Sequence, residues 1–286
     1  MPMAPSMRDW IGNWQPGREE VADRVDPARL HALAATLDLA ETPVDTVPPL
    51  WHWLYCQSPW PLTKDLGDDG HPADGPFLPP IPHRRRMFAG GRLGITAPLT
   101  VGEPVHRQAE VVDASVKNGR SGEMLFVTVR HEYRQRGVVR ISEEQDLVYR
   151  SAAGSAPTPG VSRNPLGELM TPWASIPRFS PPLLFRFSAL TANAHRIHYD
   201  ADYATAVEGF PALVVHGPLL AVHMAELVRA QAADRAVAAF TFRLQRPVFL
   251  GDVVRVEGIP VADGAELAVV SGSGVTHASA TATFVP

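Results

Sequence analysis

Residues 191–200 read TANAHRIHYD, and residues 216–218 read HGP. The decapeptide brings together an amide, two imidazoles, a guanidinium, a phenol and a carboxylate. Before it, residues 183–190 alternate in apolarity and predict a strand. After it, residues 219–228 are apolar and predict a helix. Polar groups packed this closely between two core elements indicate a functional site, and the order of elements around them indicates the fold.

Composition narrows the class of protein. The chain has 286 residues, of which 45% are hydrophobic and 20% charged, as in globular proteins. The formal net charge of −4 gives no basic surface, so no nucleic-acid partner is expected. A single cysteine, Cys56, excludes an internal disulfide and predicts a reducing compartment, the cytoplasm. Neither a transmembrane helix nor a signal peptide is expected, so no membrane partner is predicted.

Residues 1–150 carry the pattern of one helix and several strands. Asp26 followed by Pro27 predicts a helix start, and the apolar spacing of residues 28–39 predicts the helix itself. Turn pairs at 118–119 and 136–137 separate β-forming runs. Strands are therefore expected at 19–25, 103–116, 124–136 and 138–150. Residues 57–82 are rich in Pro, Gly and Asp and predict a long, functional loop.

The same order recurs after residues 151–165, a small, Pro- and Gly-rich segment predicted to be an interdomain linker. A helix is expected at 217–233, followed by strands at 236–245, 252–260, 265–273 and 276–285. We predict an α+β fold, a double hot-dog with two antiparallel sheets that each wrap a central helix. Its N-terminal domain would span residues 1–150 and its C-terminal domain residues 166–286.

The decapeptide and the following His-Gly pair resemble the motif Asp-x-Asn-Pro-x-His of the MaoC-like (hydratase 2) superfamily. In this alignment Asn193 takes the place of the acid, His195 that of the asparagine, Arg196 that of the proline and His198 that of the imidazole. The sequence is more similar to the branch with 3-hydroxyacyl-thioester dehydratase type 2 and the itaconyl-CoA and mesaconyl-C4-CoA hydratases. Residues 86–92 and the aromatic segment around Trp53 resemble that branch as well.

The resemblance implies a hydro-lyase that adds water to the double bond of an enoyl-CoA thioester. His198 would activate the water, Asn193 would hold it, and the N–H of Gly217 at a helix start would bind the thioester oxygen. No cofactor is implied beyond the thioester substrate. The chain contains no metal-binding or nucleotide-binding motif, so no metal site is expected.

The amide at position 193 departs from the superfamily motif, because Asn193 cannot titrate. One imidazole must then carry the proton chemistry, which a histidine with an unperturbed pKa of about 6.5 can do. Asp200 either replaces the missing carboxylate or caps the next helical turn. The same departure supports an alternative of another class, a catalytically inactive hot-dog subunit that binds acyl thioesters.

Substrate contacts are expected from both halves of the chain. His216 precedes the central helix, and Arg196 is either a surface residue or a ligand of a CoA phosphate. Arg86 and Arg92 either bind the free carboxylate of a C5 dicarboxylic thioester (itaconyl-CoA or mesaconyl-C4-CoA), bind a CoA phosphate, or form a solvated basic patch. Trp53 would cover the acyl group. A 3-hydroxyacyl thioester of fatty-acid metabolism is the alternative substrate, and the protein is expected to be a homodimer or a higher homo-oligomer.

Two further groups of polar residues are interpreted as structural rather than functional. His71 and His83 lie in the long loop without the spacing of metal ligands. The acidic run Ser142-Glu143-Glu144 is interpreted as a solvated strand edge.

Overall fold

A computed structural model gives the architecture and describes residues 6–73, 75, 77–81, 85–119, 122–150 and 160–286. The strands are β1 (Glu19–Arg24), β2 (Arg85–Ile95), β3 (Pro104–Gly119), β4 (Gly122–Gln135), β5 (Val138–Arg150), β6 (Trp173–Ser175), β7 (Val237–Leu244), β8 (Val254–Val261), β9 (Gly264–Ser271) and β10 (Thr276–Phe284). The helices are α1 (Met7–Ile11), α2 (Pro27–Thr36), α3 (Pro181–Leu190) and α4 (Gly217–Gln231). Short 3-10 turns occur at Trp51–Leu54, Thr63–Asp65 and Arg196–His198, and a π-helical turn at Tyr203–Val207.

The strands form one continuous sheet in the order β1-β3-β4-β5-β2-β7-β10-β9-β8-β6, with antiparallel pairing throughout. The two predicted sheets are therefore fused edge to edge where β2 pairs with β7. A Cβ atom on Gly90 would lie 2.4 Å from the Phe242 carbonyl oxygen, and one on Gly91 would lie 2.9 Å from that of Glu144. The two glycines thus permit the close approach of the strands on either side of β2.

The first half contains an antiparallel meander and the helix α2, as the sequence predicts, and also the short helix α1, which was not predicted. Arg136 and Gly137 both have positive φ, 51° and 76°, which suits the tight turn between β4 and β5. The Asp26 side chain accepts a hydrogen bond from Ala28 N and caps α2, with Pro27 at its first position. Leu30 of α2 packs into a core that also contains residues of β3, β4 and β5.

In the second half, α4 lies against β6, β8, β9 and β10. Leu219, Leu220 and Met224 are almost fully buried, and each buried side chain of this kind contributes about 1.5–3 kcal/mol to stability. Apolar side chains from both halves form one cluster, and the indole N–H of Trp51 donates to Glu226 of α4 at 3.0 Å. The central helix and the four strands that follow it confirm the prediction for this half.

The predicted strand at 183–190 is wrong, because these residues lie in helix α3. Ser180 caps the helix by accepting from Leu183 N, and Pro181 occupies its first turn. Leu184, Phe187 and Ser188 are buried at helical spacing, whereas Phe185 is 61% exposed. The capping serine and the prolines outweigh the short apolar alternation that predicted a strand.

Strand β2 was not predicted from the sequence, although it joins the two halves of the sheet. The 57–82 segment lacks strands and long helices where the structure describes it. The predicted linker falls mainly on residues 151–159, which lie outside the described residues, as does His83. Among the described residues, no helix is long and apolar enough to cross a membrane.

Candidate active site

The loop between α3 and the 3-10 turn Arg196–His198 is shaped by its own polar side chains. Ala192 has φ +51°, and Asn193 Oδ1 accepts a hydrogen bond from His195 N at 3.1 Å. Asp200 Oδ1 then accepts from Tyr203 N at 3.0 Å, which starts the next helical turn. The side-chain oxygen of Asn193 therefore stabilises the loop. Its amide hydrogens are the part of the side chain that can orient a water molecule.

His198 is the best placed base in this loop. Its side chain is 7% exposed, and its Nδ1 donates a hydrogen bond to the Val214 carbonyl oxygen at 2.8 Å. Burial lowers the pKa of His198 to about 4. The neutral imidazole thus carries its proton on Nδ1, because a carbonyl oxygen can only accept, and presents the lone pair of Nε2 as a base.

His216, the residue before α4, backs the His198 ring. The two rings are stacked with centroids 3.7 Å apart, and His216 Nε2 lies 2.8 Å from Ser188 Oγ of α3. His216 is fully buried, and burial lowers its pKa well below the usual value. The structure thus gives His216 a supporting position behind the base rather than an exposed one.

Gly217 is the first residue of α4, where N–H groups lack helical partners and carry partial positive charge. A Cβ atom on Gly217 would lie 2.2 Å from Leu244 Cδ1 on β7. A side chain at this position would therefore force Leu244 to move, and the N–H of Gly217 is suited to bind an oxyanion.

The long loop contributes a histidine that the sequence interpretation missed. The His71 ring lies 4.4 Å from the His195 ring, and His71 Nδ1 lies 2.9 Å from Asp69 Oδ2. The Asp69 carbonyl oxygen accepts from Arg196 N at 2.9 Å, so the loop is bonded to the decapeptide. The sequence separation of 124 residues between His71 and His195 leaves no local pattern that could reveal this contact.

Four imidazoles thereby form a row through the site. The ring centroids are 4.4 Å apart from His71 to His195, 5.6 Å from His195 to His198 and 3.7 Å from His198 to His216. Burial and the charges of His71 and His198 lower the pKa of His195 to about 2. His195 is therefore neutral at physiological pH and can both donate and accept a hydrogen bond.

A metal ion could use donor atoms of Asp69, His71 and His195, which lie within 4.8 Å of one another. Asp69 and His71, however, are bonded to each other. Such a hydrogen bond orients the His71 imidazole. The three donor atoms are one fewer than a structural zinc site needs and equal the number of protein ligands in a catalytic zinc site.

Arg196 and Asp200 are paired with each other. Arg196 Nη2 lies 2.7 Å from Asp200 Oδ2, and Arg196 Nη1 donates to the Asp68 carbonyl oxygen at 2.9 Å. The Arg196 guanidinium also lies 4.2 Å from the centre of the Tyr203 ring. A hydrogen bond from the backbone of Tyr203, together with the Arg196 pair, lowers the pKa of Asp200. The capping interpretation of Asp200 is confirmed. The contacts of Arg196 give it a role in holding the two loops together, and its role in substrate binding stays a prediction.

The two candidate arginines of β2 face opposite sides of the sheet. A bulge between Phe88 and Gly90 inserts one residue and reverses the alternation. Arg92 consequently pairs with Glu144 and Asp146 of β5, at 3.0 and 2.7 Å, and these ion pairs favour a structural role for Arg92 over the predicted role in substrate binding. Arg86 lies before the bulge, and its charge is among the causes that lower the pKa of His195. Of the two, Arg86 is the arginine near the site.

Trp53 lies in an aromatic cluster beside β2. Its ring centroid is 6.3 Å from that of Phe88 and 6.0 Å from that of Phe242 on β7, and the two phenylalanines are stacked. The indole N–H donates to Glu143 Oε1 at 2.9 Å. Trp53 therefore helps to build an apolar wall where the two halves meet.

The prediction of a solvated strand edge at residues 142–144 is wrong for Glu143, and β5 is an inner strand, although Glu144 is partly exposed. Glu143 is fully buried and lies 3.0 Å from His52 Nε2. Burial would raise the pKa of Glu143, but the charge and hydrogen bond of His52 lower it. Glu144 faces the other side of β5 and pairs with Arg92 and Arg130. Strand alternation separates the two carboxylates.

Comparison with known proteins places this chain among acyl-thioester enzymes. The family model described as hydroxyacyl-thioester dehydratase type 2 matches residues 50–250. A mesaconyl-C(4)-CoA hydratase of Chloroflexus aurantiacus is 43% identical over 280 residues, which cover 96% of this chain and 98% of that protein. A mitochondrial hydroxyacyl-thioester dehydratase type 2 of Schizosaccharomyces pombe is 41% identical over 86 residues, 29% of this chain and 28% of that protein.

Solved structures share the fold at low sequence identity. HtdX of Mycobacterium tuberculosis superposes with a TM-score of 0.64 at 17% identity, covering 93% of this chain and 100% of that one. A MaoC-like dehydratase from Phytophthora capsici gives a TM-score of 0.65 at 13% identity, with 97% of both chains covered. These matches confirm the double hot-dog architecture.

Proposed function

The chain belongs to the hydroxyacyl-thioester dehydratase type 2 family and is a hydro-lyase, and on that premise we propose that it adds water to the double bond of mesaconyl-C4-CoA. An enzyme is favoured over a catalytically inactive binding subunit, because one of the two relatives is a hydratase and the other is a dehydratase.

One observation carries the mechanism: the Val214 carbonyl fixes the His198 tautomer that leaves Nε2 as a base. In the proposed step, Nε2 takes a proton from water while the water oxygen bonds to the carbon β to the thioester. The electrons of the double bond move toward the thioester carbonyl, and an enolate forms. Proton transfer of this kind contributes about 10²–10⁴-fold to rate.

The enolate oxygen needs a donor, and the N–H of Gly217 at the start of α4 is our candidate. A well-placed donor of this kind stabilises a developing oxyanion by about 3 kcal/mol. Asn193 would contribute its amide hydrogens to the attacking water, since its carbonyl oxygen is bonded to His195 N.

Arg86 supports a dicarboxylic substrate. In mesaconyl-C4-CoA the free carboxylate is attached to the β carbon, the atom that accepts the water oxygen. That carboxylate must therefore lie near the base that activates the water. Arg86 is close enough to His195 for its charge to lower the pKa of that residue, and His195 is next to His198. A guanidinium in this place can form a charge-assisted pair with the carboxylate.

Initial rates with three thioesters test the proposal. Mesaconyl-C4-CoA, itaconyl-CoA and crotonyl-CoA would be compared by the loss of enoyl-thioester absorbance, with the addition of water checked by mass spectrometry. We expect the highest kcat/KM with mesaconyl-C4-CoA. A preference for crotonyl-CoA would instead favour the second candidate, a 3-hydroxyacyl-thioester dehydratase of fatty-acid metabolism like the relative from S. pombe.

Two finer points belong to the same proposal. We infer a cytoplasmic location, because Cys56 is buried and free, and burial raises the pKa of its thiol to about 12. We also infer a homodimer or higher homo-oligomer, which light scattering on the purified protein would test.

A further inference from the structure

Because the motif acid is the amide Asn193, His198 would carry both proton transfers alone unless a second group near the site supplies one of them. Building on the proposed hydration, we propose that His71, oriented by Asp69, is that group and protonates the α carbon of the substrate. This assigns a catalytic role to the 57–82 loop, from the half of the chain that lacks the hydratase motif.

Asp69 and His71 form an oriented pair. His71 Nδ1 lies 2.9 Å from Asp69 Oδ2, and His71 N donates to Asp69 Oδ1 at 2.9 Å. Burial would raise the pKa of Asp69, but the hydrogen bonds and charge of His71 lower it well below its usual range. The ionised carboxylate holds the proton on Nδ1 and stabilises the imidazolium, so Nε2 is the atom that exchanges a proton.

Hydrogen bonds hold the 57–82 loop against the decapeptide 191–200. Besides the bond from Arg196 N to the Asp69 carbonyl, Arg196 Nη1 donates to the Asp68 carbonyl at 2.9 Å. Gly70 has φ +87°, and a Cβ atom there would lie 2.0 Å from the Ala194 carbonyl oxygen. Only glycine permits this contact, which places Asp69 and His71 beside the decapeptide.

His71 lies beside the catalytic imidazoles, since its ring centroid is 4.4 Å from that of His195, which is 5.6 Å from that of His198. The charge of His71 lowers the pKa of both His195 and His198. Among the described residues, the titratable and charged groups around His71 include its loop neighbour Asp69, His195 and His198 of the decapeptide, and Arg86 of β2, which acts on His195.

The proposed steps account for every proton that is transferred. Water loses a proton to His198 Nε2 as its oxygen bonds to the β carbon, and the enolate then takes a proton at the α carbon from His71 Nε2. The proton on His198 returns to His71 through His195, whose ring lies between them, or through solvent. The net change is the addition of one water, with both imidazoles restored.

The experiment compares His71→Gln, Asp69→Asn and the matched control His106→Gln, which alters an exposed histidine of β3. With wild-type enzyme active on mesaconyl-C4-CoA, we expect His71→Gln to lower kcat by at least about 10²-fold with little change in KM. The variant should also lose one limb of the kcat–pH profile. Asp69→Asn should lower kcat less and displace that limb, and His106→Gln should match wild type.

A folded His71→Gln enzyme with wild-type kcat and pH profile would overturn the inference while leaving the proposed hydration intact. A stoichiometric metal ion in the wild-type protein, lost in His71→Gln and needed for activity, would also overturn it in favour of a metal site. Absence of wild-type turnover on every enoyl thioester would instead contradict the proposed function.

Discussion

The imidazoles of His198 and His216 lie face to face, with centroids 3.7 Å apart and ring planes 19° from parallel. Two imidazolium ions could not share this stack without strong repulsion, so at least one ring must stay neutral. Burial lowers the pKa of both. The stack therefore keeps His198 in the form that can accept a proton from water.

Substitutions at Gly217 and Leu244 can distinguish a packing role of Gly217 from a catalytic one. Gly217→Ala would place a Cβ atom against Leu244 Cδ1, so we expect lower thermal stability and lower kcat. The double variant Gly217→Ala, Leu244→Ala has room for the methyl group and should recover turnover, since the backbone N–H is retained. Thermal unfolding and kcat measured together test this, and a double variant that is stable yet inactive would show that the methyl group itself blocks the site.

Substitutions at Asn193 test its assignment to water. Asn193→Asp can still accept the hydrogen bond from His195 N and restores the motif acid, so it should keep at least part of the activity. Asn193→Ala loses both the turn contact and the amide hydrogens, and should lower kcat. The measurement is kcat at saturating substrate. Equal kcat in both variants and wild type would show that Asn193 is only a turn residue and does not position the water.

Arg86 and Arg92 form a matched pair on one strand. Arg86→Ala should raise KM for mesaconyl-C4-CoA by about 10–150-fold, the equivalent of about 1.5–3 kcal/mol for a hydrogen bond to a charged group, and should affect crotonyl-CoA much less. Arg92→Ala removes an exposed ion pair worth about 0–1 kcal/mol and should leave both KM values unchanged.

Equal effects of Arg86→Ala on both substrates would assign Arg86 to the shared CoA portion. An effect of Arg92→Ala on KM would contradict the reversal of strand faces at the bulge.

Acid should destabilise the fold through buried neutral histidines. Burial lowers the pKa of His223 on α4 to about 4, and its Nε2 is buried without a partner among the described residues. Between pH about 6.5 and about 4 the unfolded chain binds a proton that the folded chain does not, so the free energy of unfolding falls as pH is lowered.

His223→Leu should reduce that pH dependence by up to about 1.4 kcal/mol per pH unit. Urea unfolding at several pH values would measure the slope, with the exposed His31→Gln as control. An unchanged slope in His223→Leu would show that His223 is not neutral in the folded protein.

Local patterns in the sequence were enough to predict much of this structure. Alternating apolar residues and the Arg136-Gly137 turn predicted the β3–β5 meander, and Asp26-Pro27 predicted the start of α2. The motif predicted a loop with His198 ahead of a helix that begins at Gly217. Each of these depends on neighbours within a few residues.

The remaining features depend on long-range geometry. His71 reaches the site because a loop folds back on the decapeptide, and no spacing in the chain encodes that contact. Arg92 and Arg86 are six residues apart and would share a face of a regular strand, but the bulge between them reverses the alternation. Glu143 is buried by its pairing with His52, a residue of another segment.

The most direct test of the central claim, that His198 is the base of a mesaconyl-C4-CoA hydratase, is the turnover number of His198→Gln on that substrate beside wild type. The variant keeps a polar side chain of similar reach but cannot accept the proton. We predict a kcat lower by at least about 10²-fold with an unchanged circular dichroism spectrum. A folded His198→Gln enzyme within a few-fold of wild-type kcat would contradict the account.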